Sequence, residues 1–269
     1  MTDKVFLKKD WVDTLKAARE SFRIFVPVRE GDFHNFRPLE EGTIPNFNFF
    51  NTRLSPKHII YPQSERMFEC VNGPEDPEKG VLKETPKDYS PQAIVGIRPC
   101  DAQAFQIVKR NFDNTEYRDP WWVKRFQSTV LVGLGCNAPC PTCFCTSVGG
   151  GPFHEEYLDA ILYDLGDRYL ARGLTEKGGE FISKMNGGES ADENTMKEAE
   201  DLAAAAGEKV VARLPSDKMG SKDVTELFNS PFWEEAAFSC INCGTCTFLC
   251  PTCWCFDIQD EVCGIQVDR

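Results

Sequence analysis

Ala93-Ile-Val-Gly-Ile-Arg-Pro-Cys-Asp101 and Ser128-Thr-Val-Leu-Val-Gly-Leu-Gly-Cys136 are short apolar runs that each end at a cysteine. Runs of this length, rich in Val, Ile and Leu, read as strands buried on both faces. Between them Asp101 is a candidate N-cap, and Ala104, Ile107 and Val108 share one side of a helix running to about Asn111. Strand, helix and strand within about 40 residues predict a βαβ unit with parallel strands. Parallel strands finish on the same edge of a sheet, where open α/β sheets carry their sites. Cys100 and Cys136 are therefore expected together at that edge.

Working outward, Trp11, Leu15 and Ala18 give Trp11–Glu20 a helical face, and Phe22–Val28 alternates as a strand. Residues 30–62 are rich in Pro, Asn and Phe and read as loops, as does the charged stretch Glu75–Ser90. Glu155–Ala171 reads as one or two helical turns followed by a helix. Lys177–Gly207 holds one exposed helix over about Glu193–Ala206, flanked by Gly. Val224–Phe228 and Phe232–Phe238 read as helices interrupted at Pro231. We place a boundary near Pro215–Lys222. Residues 1–215 form an α/β domain with a cysteine-rich site at its sheet edge, and residues 216–269 a small α-helical domain. The fold class is α+β, with a partly parallel sheet in the first part.

The 269 residues carry 41% hydrophobic and 27% charged side chains, as a folded globular chain does. A net charge of −12 argues against a nucleic-acid face and against an anionic membrane surface. No apolar run approaches the roughly 20 residues that a membrane helix needs. The N-terminus, MTDKVFLKKDWVDTLK, has no apolar signal core, so a cytoplasmic location is expected. Thirteen cysteines are the outlying feature, and ten of them fall in the windows 136–145 and 240–255. With an odd count, no export signal and such crowding, metal ligation is the better reading than disulfides.

Cys240-Ile-Asn-Cys243-Gly-Thr-Cys246-Thr-Phe-Leu-Cys250-Pro251 is C-x2-C-x2-C-x3-C-P without deviation, the bacterial ferredoxin pattern for a 4Fe–4S cluster. Thiolates two residues apart wrap a tight turn around one cluster. Gly244 permits that turn and lets amides approach the sulfurs, and Pro251 ends the local helix. Zinc sites use separated ligand pairs, so zinc is the weaker reading. The fourth cysteine of such a run can serve a different cluster. The local companions of Cys250 are then Cys253, Cys255 and Cys263.

Cys140-Pro-Thr-Cys143-Phe-Cys145 and Cys250-Pro-Thr-Cys253-Trp-Cys255 repeat one hexapeptide, C-P-T-C-aromatic-C. The bland reading is an old duplication. The functional one is that both line clusters, with the aromatic shielding thiolates from water. The N-terminal window has sulfur enough for one more cluster. We favour Cys100, Cys136, Cys143 and Cys145, the alternative being Cys136, Cys140, Cys143 and Cys145. Two 4Fe–4S clusters are expected, or three if the C-terminal cysteines build a second. Cys70 stands alone and reads as a packed thiol.

Other signals carry less. Gly133-x-Gly135 lacks the third Gly of a nucleotide loop, and Gly149-Gly-Gly-Pro152 more simply lets backbone pass close to Cys143 and Cys145. His34, His58 and His154 show no metal spacing. Trp121-Trp122 reads as core or interface. No Ser/His/Asp or paired-carboxylate arrangement can be placed, so no catalytic residue is assigned.

Several of these motifs, taken together, carry a resemblance. They are Ser55-Pro-Lys57, Pro62-Gln-Ser-Glu65 with Phe68, Ile97-Arg-Pro-Cys-Asp101 with Ala104, Gly135-Cys136, Cys143-Phe-Cys145-Thr-Ser147, Gly150-Gly-Pro152, and Cys240 through Cys250-Pro-Thr-Cys-Trp-Cys-Phe-Asp257. In order and spacing the chain resembles the iron–sulfur beta subunits of cytosolic sulfhydrogenases. It is equally similar to the iron–sulfur subunit of anaerobic sulfite reductase and to relatives linked to heterodisulfide reductase. The resemblance covers nearly the whole chain and implies a wire. Such subunits pass electrons between a flavin- and NAD(P)-binding partner and a catalytic redox subunit in a hetero-oligomer. It also implies that residues 216–269 resemble an α-helical ferredoxin domain. Family members continue to a further ligand set. Here a second C-terminal cluster would fall to Cys250, Cys253, Cys255 and Cys263, to a partner's ligands, or be absent. The alternative function is a reductase whose own active site is the N-terminal cluster.

Overall fold

The structure is a computed structural model and describes residues 2–263 and 266–268, without the side chains of Asp217, Met219 and Cys263. In chain order its strands are β1 Asp3–Leu7, β2 Arg23–Glu30, β3 Phe33–Pro38, β4 Phe68–Val71, β5 Lys83–Glu84, β6 Gln92–Ile97, β7 Thr129–Leu134, β8 Ala160–Asp164, β9 Arg168–Gly173, β10 Glu189–Ser190, β11 Glu261–Cys263 and β12 Gln266–Asp268. Its helices are α1 Trp11–Ala17, α2 Lys57–Ile60, α3 Pro99–Phe112, α4 Pro120–Gln127, α5 Glu176–Lys184, α6 Glu193–Glu208, α7 Ser216–Gly220, α8 Val224–Phe228, α9 Phe232–Ala237 and α10 Thr245–Leu249.

β6 and β7 are buried at every residue, as strands covered on both faces must be. They are parallel neighbours at the centre of an eight-stranded sheet ordered β10-β1-β9-β8-β7-β6-β2-β3. β2 and β8 extend the parallel part on either side, and antiparallel strands close both ends. Alternate residues serve two cores. Val130, Val132 and Leu134 pack on one face with Trp11, Leu15 and Phe181. Leu131 packs on the other with Phe105 and Val108 of α3 and Trp122 of α4. The fold is thus α+β with a partly parallel sheet.

Several local expectations change. Arg98, not Asp101, caps α3, and Pro99 opens it, where its missing N–H costs nothing. Asp101 is buried inside the first turn. Burial pushes its carboxyl up to about 6, against the opposing effects of Ser55 and the Arg98 guanidinium. Ala104 and Val108 face inward, but Ile107 is exposed. Glu155–Ala171 is not helical. It contains most of the antiparallel hairpin β8–β9, whose turn passes through Gly166 at φ +97°. Residues 30–62 are not all loop, because β3 pairs with β2 across a turn at Gly31. α5 forms over two glycines because Gly178 presses on the main chain of Asp159, where a Cβ would lie 1.7 Å from the carbonyl oxygen.

The C-terminal segment carries four short helices, α7 to α10, with α8 and α9 breaking at Pro231 as expected. It then returns to the α/β part. β11 and β12 form a hairpin, and β12 pairs with β4 in a four-stranded antiparallel sheet. An ion pair at 2.8 Å between Arg66 and Asp268 flanks that junction. Among the described residues no helix is long and apolar enough to cross a membrane.

Candidate metal centres

β6 and β7 deliver Cys100 and Cys136 to one sheet edge, and Arg98 fixes the way they emerge. Its guanidinium donates to four main-chain carbonyls: Phe50 at 2.9 Å, Leu134 at 3.1 Å, Gly135 at 2.9 Å, and Phe49. It also lies 4.4 Å from the centre of the Phe49 ring. A buried five-donor fork thus pins the end of β7 one residue before Cys136. The Cys136 N–H then donates to the Pro152 carbonyl at 3.0 Å.

The following loop folds its cysteines back. The Cys140 N–H donates to the Cys143 sulfur at 3.1 Å. A 3-10 turn over Cys145–Val148 ends at Gly149 with φ +77°, and the Gly150 N–H closes on the Cys145 carbonyl at 3.0 Å. Gln103 of α3 donates to the Val148 carbonyl at 3.0 Å, tying the loop to the helix. A Cβ on Gly150 would lie 2.7 Å from that same Gln103 side chain. Of the Gly run, Gly150 serves this close approach, as expected of backbone passing near Cys145.

Cys100, Cys136, Cys143 and Cys145 are close enough to feel one another's charge. Burial pushes the Cys100 thiol up, and Asp101, Cys136, Cys145 and Cys143 add to it. Although Cys100 keeps an open edge to solvent, burial is the largest cause. Cys136 is also pushed up by burial, with Arg98 opposing and Cys143, Cys145 and Cys140 adding. Cys140 and Cys145 are raised by burial, then by Cys143. Sulfurs that resist joint ionisation fit a group that supplies positive charge, as iron does. Cys140 and Cys100 both belong to this gathering.

The second set is more open. Asn242 at φ 55° and Gly244 at φ 71° turn the chain through the left-handed region, and the Asn242 N–H reaches the Cys240 sulfur at 3.3 Å. The Thr245 hydroxyl lies 3.2 Å from the Cys243 sulfur and lowers that thiol. Main-chain and hydroxyl donors aimed at sulfur fit an iron–sulfur ligand loop. Cys240, Cys243 and Cys246 are exposed, and Cys250 caps α10 in extended conformation before Pro251.

Cys250 turns toward Cys253. The Cys253 N–H donates to the Cys250 carbonyl at 3.3 Å, the Cys250 sulfur lies 3.2 Å from the Thr252 hydroxyl, and the Cys253 thiol is raised by its interaction with Cys250, then by burial. Cys255 adds to its shift. Cys243, Cys253 and Cys255 line one cleft of about 980 Å³, whose other wall carries Tyr61, Trp121 and Arg125. Arg125 there forms an ion pair with Glu65. Cys263 lies in β11, but its side chain is outside the described residues. Cys70 lies on β4 opposite Val267.

The two hexapeptides diverge. Trp254 is drawn into the α/β core. It is 6% exposed and seated among Tyr61, Phe105, Phe112 and Trp122, with ring centres 5.2 to 6.1 Å away. Phe144, its counterpart, is 45% exposed. Among the described residues no three His, Cys, Asp or Glu side chains converge tightly enough to hold one metal ion. A single tetrahedral ion with Zn–S bonds of about 2.3 Å draws sulfurs to about 3.8 Å. A multi-iron cluster takes each thiolate on a different iron and does not require that convergence.

Over 247 residues, 90% of this chain, the sequence is 28% identical to the sulfhydrogenase 2 subunit beta of Pyrococcus furiosus, covering 69% of that protein. The chain is similar to that sulfhydrogenase beta subunit. No family model matches the chain, and no solved structure matches it.

Two residues at these centres have roles that their sequence positions do not announce. Arg98 and Lys57 stand inside the motifs Ile97-Arg-Pro-Cys-Asp101 and Ser55-Pro-Lys57, which was the available signal. Both bind main-chain carbonyls, and a carbonyl has no sequence signature. The Lys57 ammonium donates to the carbonyls of Cys250 at 2.8 Å, Cys253 at 2.9 Å and Thr247 at 3.3 Å. Burial lowers its basicity, and Cys253, Cys250 and Cys255 oppose that shift. Of the histidines, the His58 ring nitrogen meets the Ser55 carbonyl at 3.3 Å, His34 stacks on Phe49, and His154 pairs with Glu156.

Proposed function

We propose that this chain is an iron–sulfur electron-transfer subunit of a multisubunit anaerobic oxidoreductase. It relays electrons between a flavin- and NAD(P)-binding partner and a catalytic module of hydrogenase, sulfite reductase or heterodisulfide reductase type. The observation that carries the reading is the gathering of cysteines from three separate segments, Cys100, Cys136 and Cys143 with Cys145, at the edge of the parallel strands. The relation to a sulfhydrogenase subunit supports it. In this reading residues 216–269 carry the cluster held by Cys240, Cys243, Cys246 and Cys250, against an α/β domain of residues 1–215. Cys253, Cys255 and Cys263 are the reserve for another. When bound, such clusters accept and release single electrons. The chain's own residues orient the sulfurs, direct N–H groups at them and keep water from the deeper set.

The test is iron and acid-labile sulfide per chain on anaerobically purified protein, with EPR after dithionite reduction. About eight of each is expected for two 4Fe–4S clusters, and about twelve if the C-terminal cysteines build a second. Zinc without sulfide would sink the proposal.

A further inference from the structure

We infer that Lys57 is a positioning residue for the C-terminal sulfur centre. It clasps the Cys250–Cys253 turn through its ammonium and holds a positive charge against that turn's sulfurs. The inference rests on the electron-carrier reading for the second of these roles, and on geometry alone for the first.

The geometry is specific. Lys57 is the first residue of α2, and its three N–H donors meet three carbonyls, those of Thr247, Cys250 and Cys253. Thr247 lies within α10 and Cys250 caps it, so those two carbonyls lie at the helix end, where cations are favoured. Among the described residues no carboxylate forms an ion pair with Lys57. Its charge is therefore directed at the cysteine turn and not spent on an acid. Burial of an ammonium is unfavourable unless its donors are satisfied, and here the turn itself satisfies them. The same contacts fix the turn to the α/β domain across a sequence separation of 196 residues.

Adding an electron makes an iron–sulfur centre more negative. A fixed cation beside its ligands stabilises the reduced form and raises its potential. A lysine that merely packed its stem would leave the potential where it was.

The experiment uses the full chain with Lys57→Met and Lys57→Arg. Redox titration followed by EPR should show one centre shifted to lower potential in Lys57→Met, restored toward wild type in Lys57→Arg, with the other centre unmoved. Hydrogen exchange on the cluster-free chain should show faster exchange in residues 247–255 of Lys57→Met, and β6 and β7 unchanged. Full iron content with both potentials unchanged would overturn the charge role, and unchanged exchange would overturn the clasp. If the wild-type chain holds no iron–sulfur centre, the electron-carrier reading and the charge role fall together, and exchange alone decides the clasp.

Discussion

Cys243→Ser should remove about four irons and four sulfides per chain and sever electron flow through the complex, while leaving the α/β sheet folded. Cys243 sits between Asn242 and Gly244, the two residues in left-handed conformation, where the chain turns most tightly. The residue is exposed, and its sulfur lies 3.2 Å from the Thr245 hydroxyl. Serine is close in size, and surface changes of this kind cost within about 0.5 kcal/mol of stability. The loss is therefore one of chemistry and not of fold, because an alcohol is a far poorer ligand to iron than a thiolate. Iron analysis, far-ultraviolet circular dichroism and turnover of the reconstituted complex separate the two. Full turnover in the mutant complex would exclude this cluster from the electron path.

Trp254→Ala should destabilise the chain by about 3–5 kcal/mol, the range for removing a large buried aromatic side chain. Its indole fills a socket of Tyr61, Phe105, Phe112 and Trp122 and donates to the Pro251 carbonyl at 2.7 Å. The matched control is Phe144→Ala, at the equivalent place in the other hexapeptide. That ring is nearly half exposed and should cost far less, about 0.5 kcal/mol. Chemical denaturation of both variants gives the comparison. Equal losses would contradict the division of labour between the two copies, one anchoring and one open.

The parts of the molecule legible from sequence are those whose signal is local. β6 and β7 announce themselves because strands buried on both faces are continuous apolar runs. Their shared edge follows from parallel pairing, and so does the meeting of Cys100 and Cys136. β8 and β9 lie in the same sheet, yet their run reads as helix, because short apolar segments suit either period. β3 is hidden by its Pro, Asn and His content, which an edge strand tolerates. α5 is hidden by glycines that are there for close packing. The hairpin β11–β12 has no legible signal, since the strand it completes, β4, lies far back in the chain. At the candidate centres the cysteines are visible. The cations that hold their loops are visible as residues but not as contacts.

The junction of β12 with β4 also bears on the order in which the molecule forms. Bringing such distant segments together costs loop-closure entropy before any pairing rewards it, so contacts of this kind form late. Val267 opposite Cys70 and Lys57 on Cys253 should be among the last contacts made, after the central sheet. In pulse-labelled exchange during refolding, Val95 and Val132 should gain protection before Val267. Simultaneous protection would mean a single concerted step. Sequential protection would leave the Cys250–Cys253 turn unclasped for an interval beside a finished scaffold, free to adjust to iron and sulfide before Lys57 and the last strand fix its place.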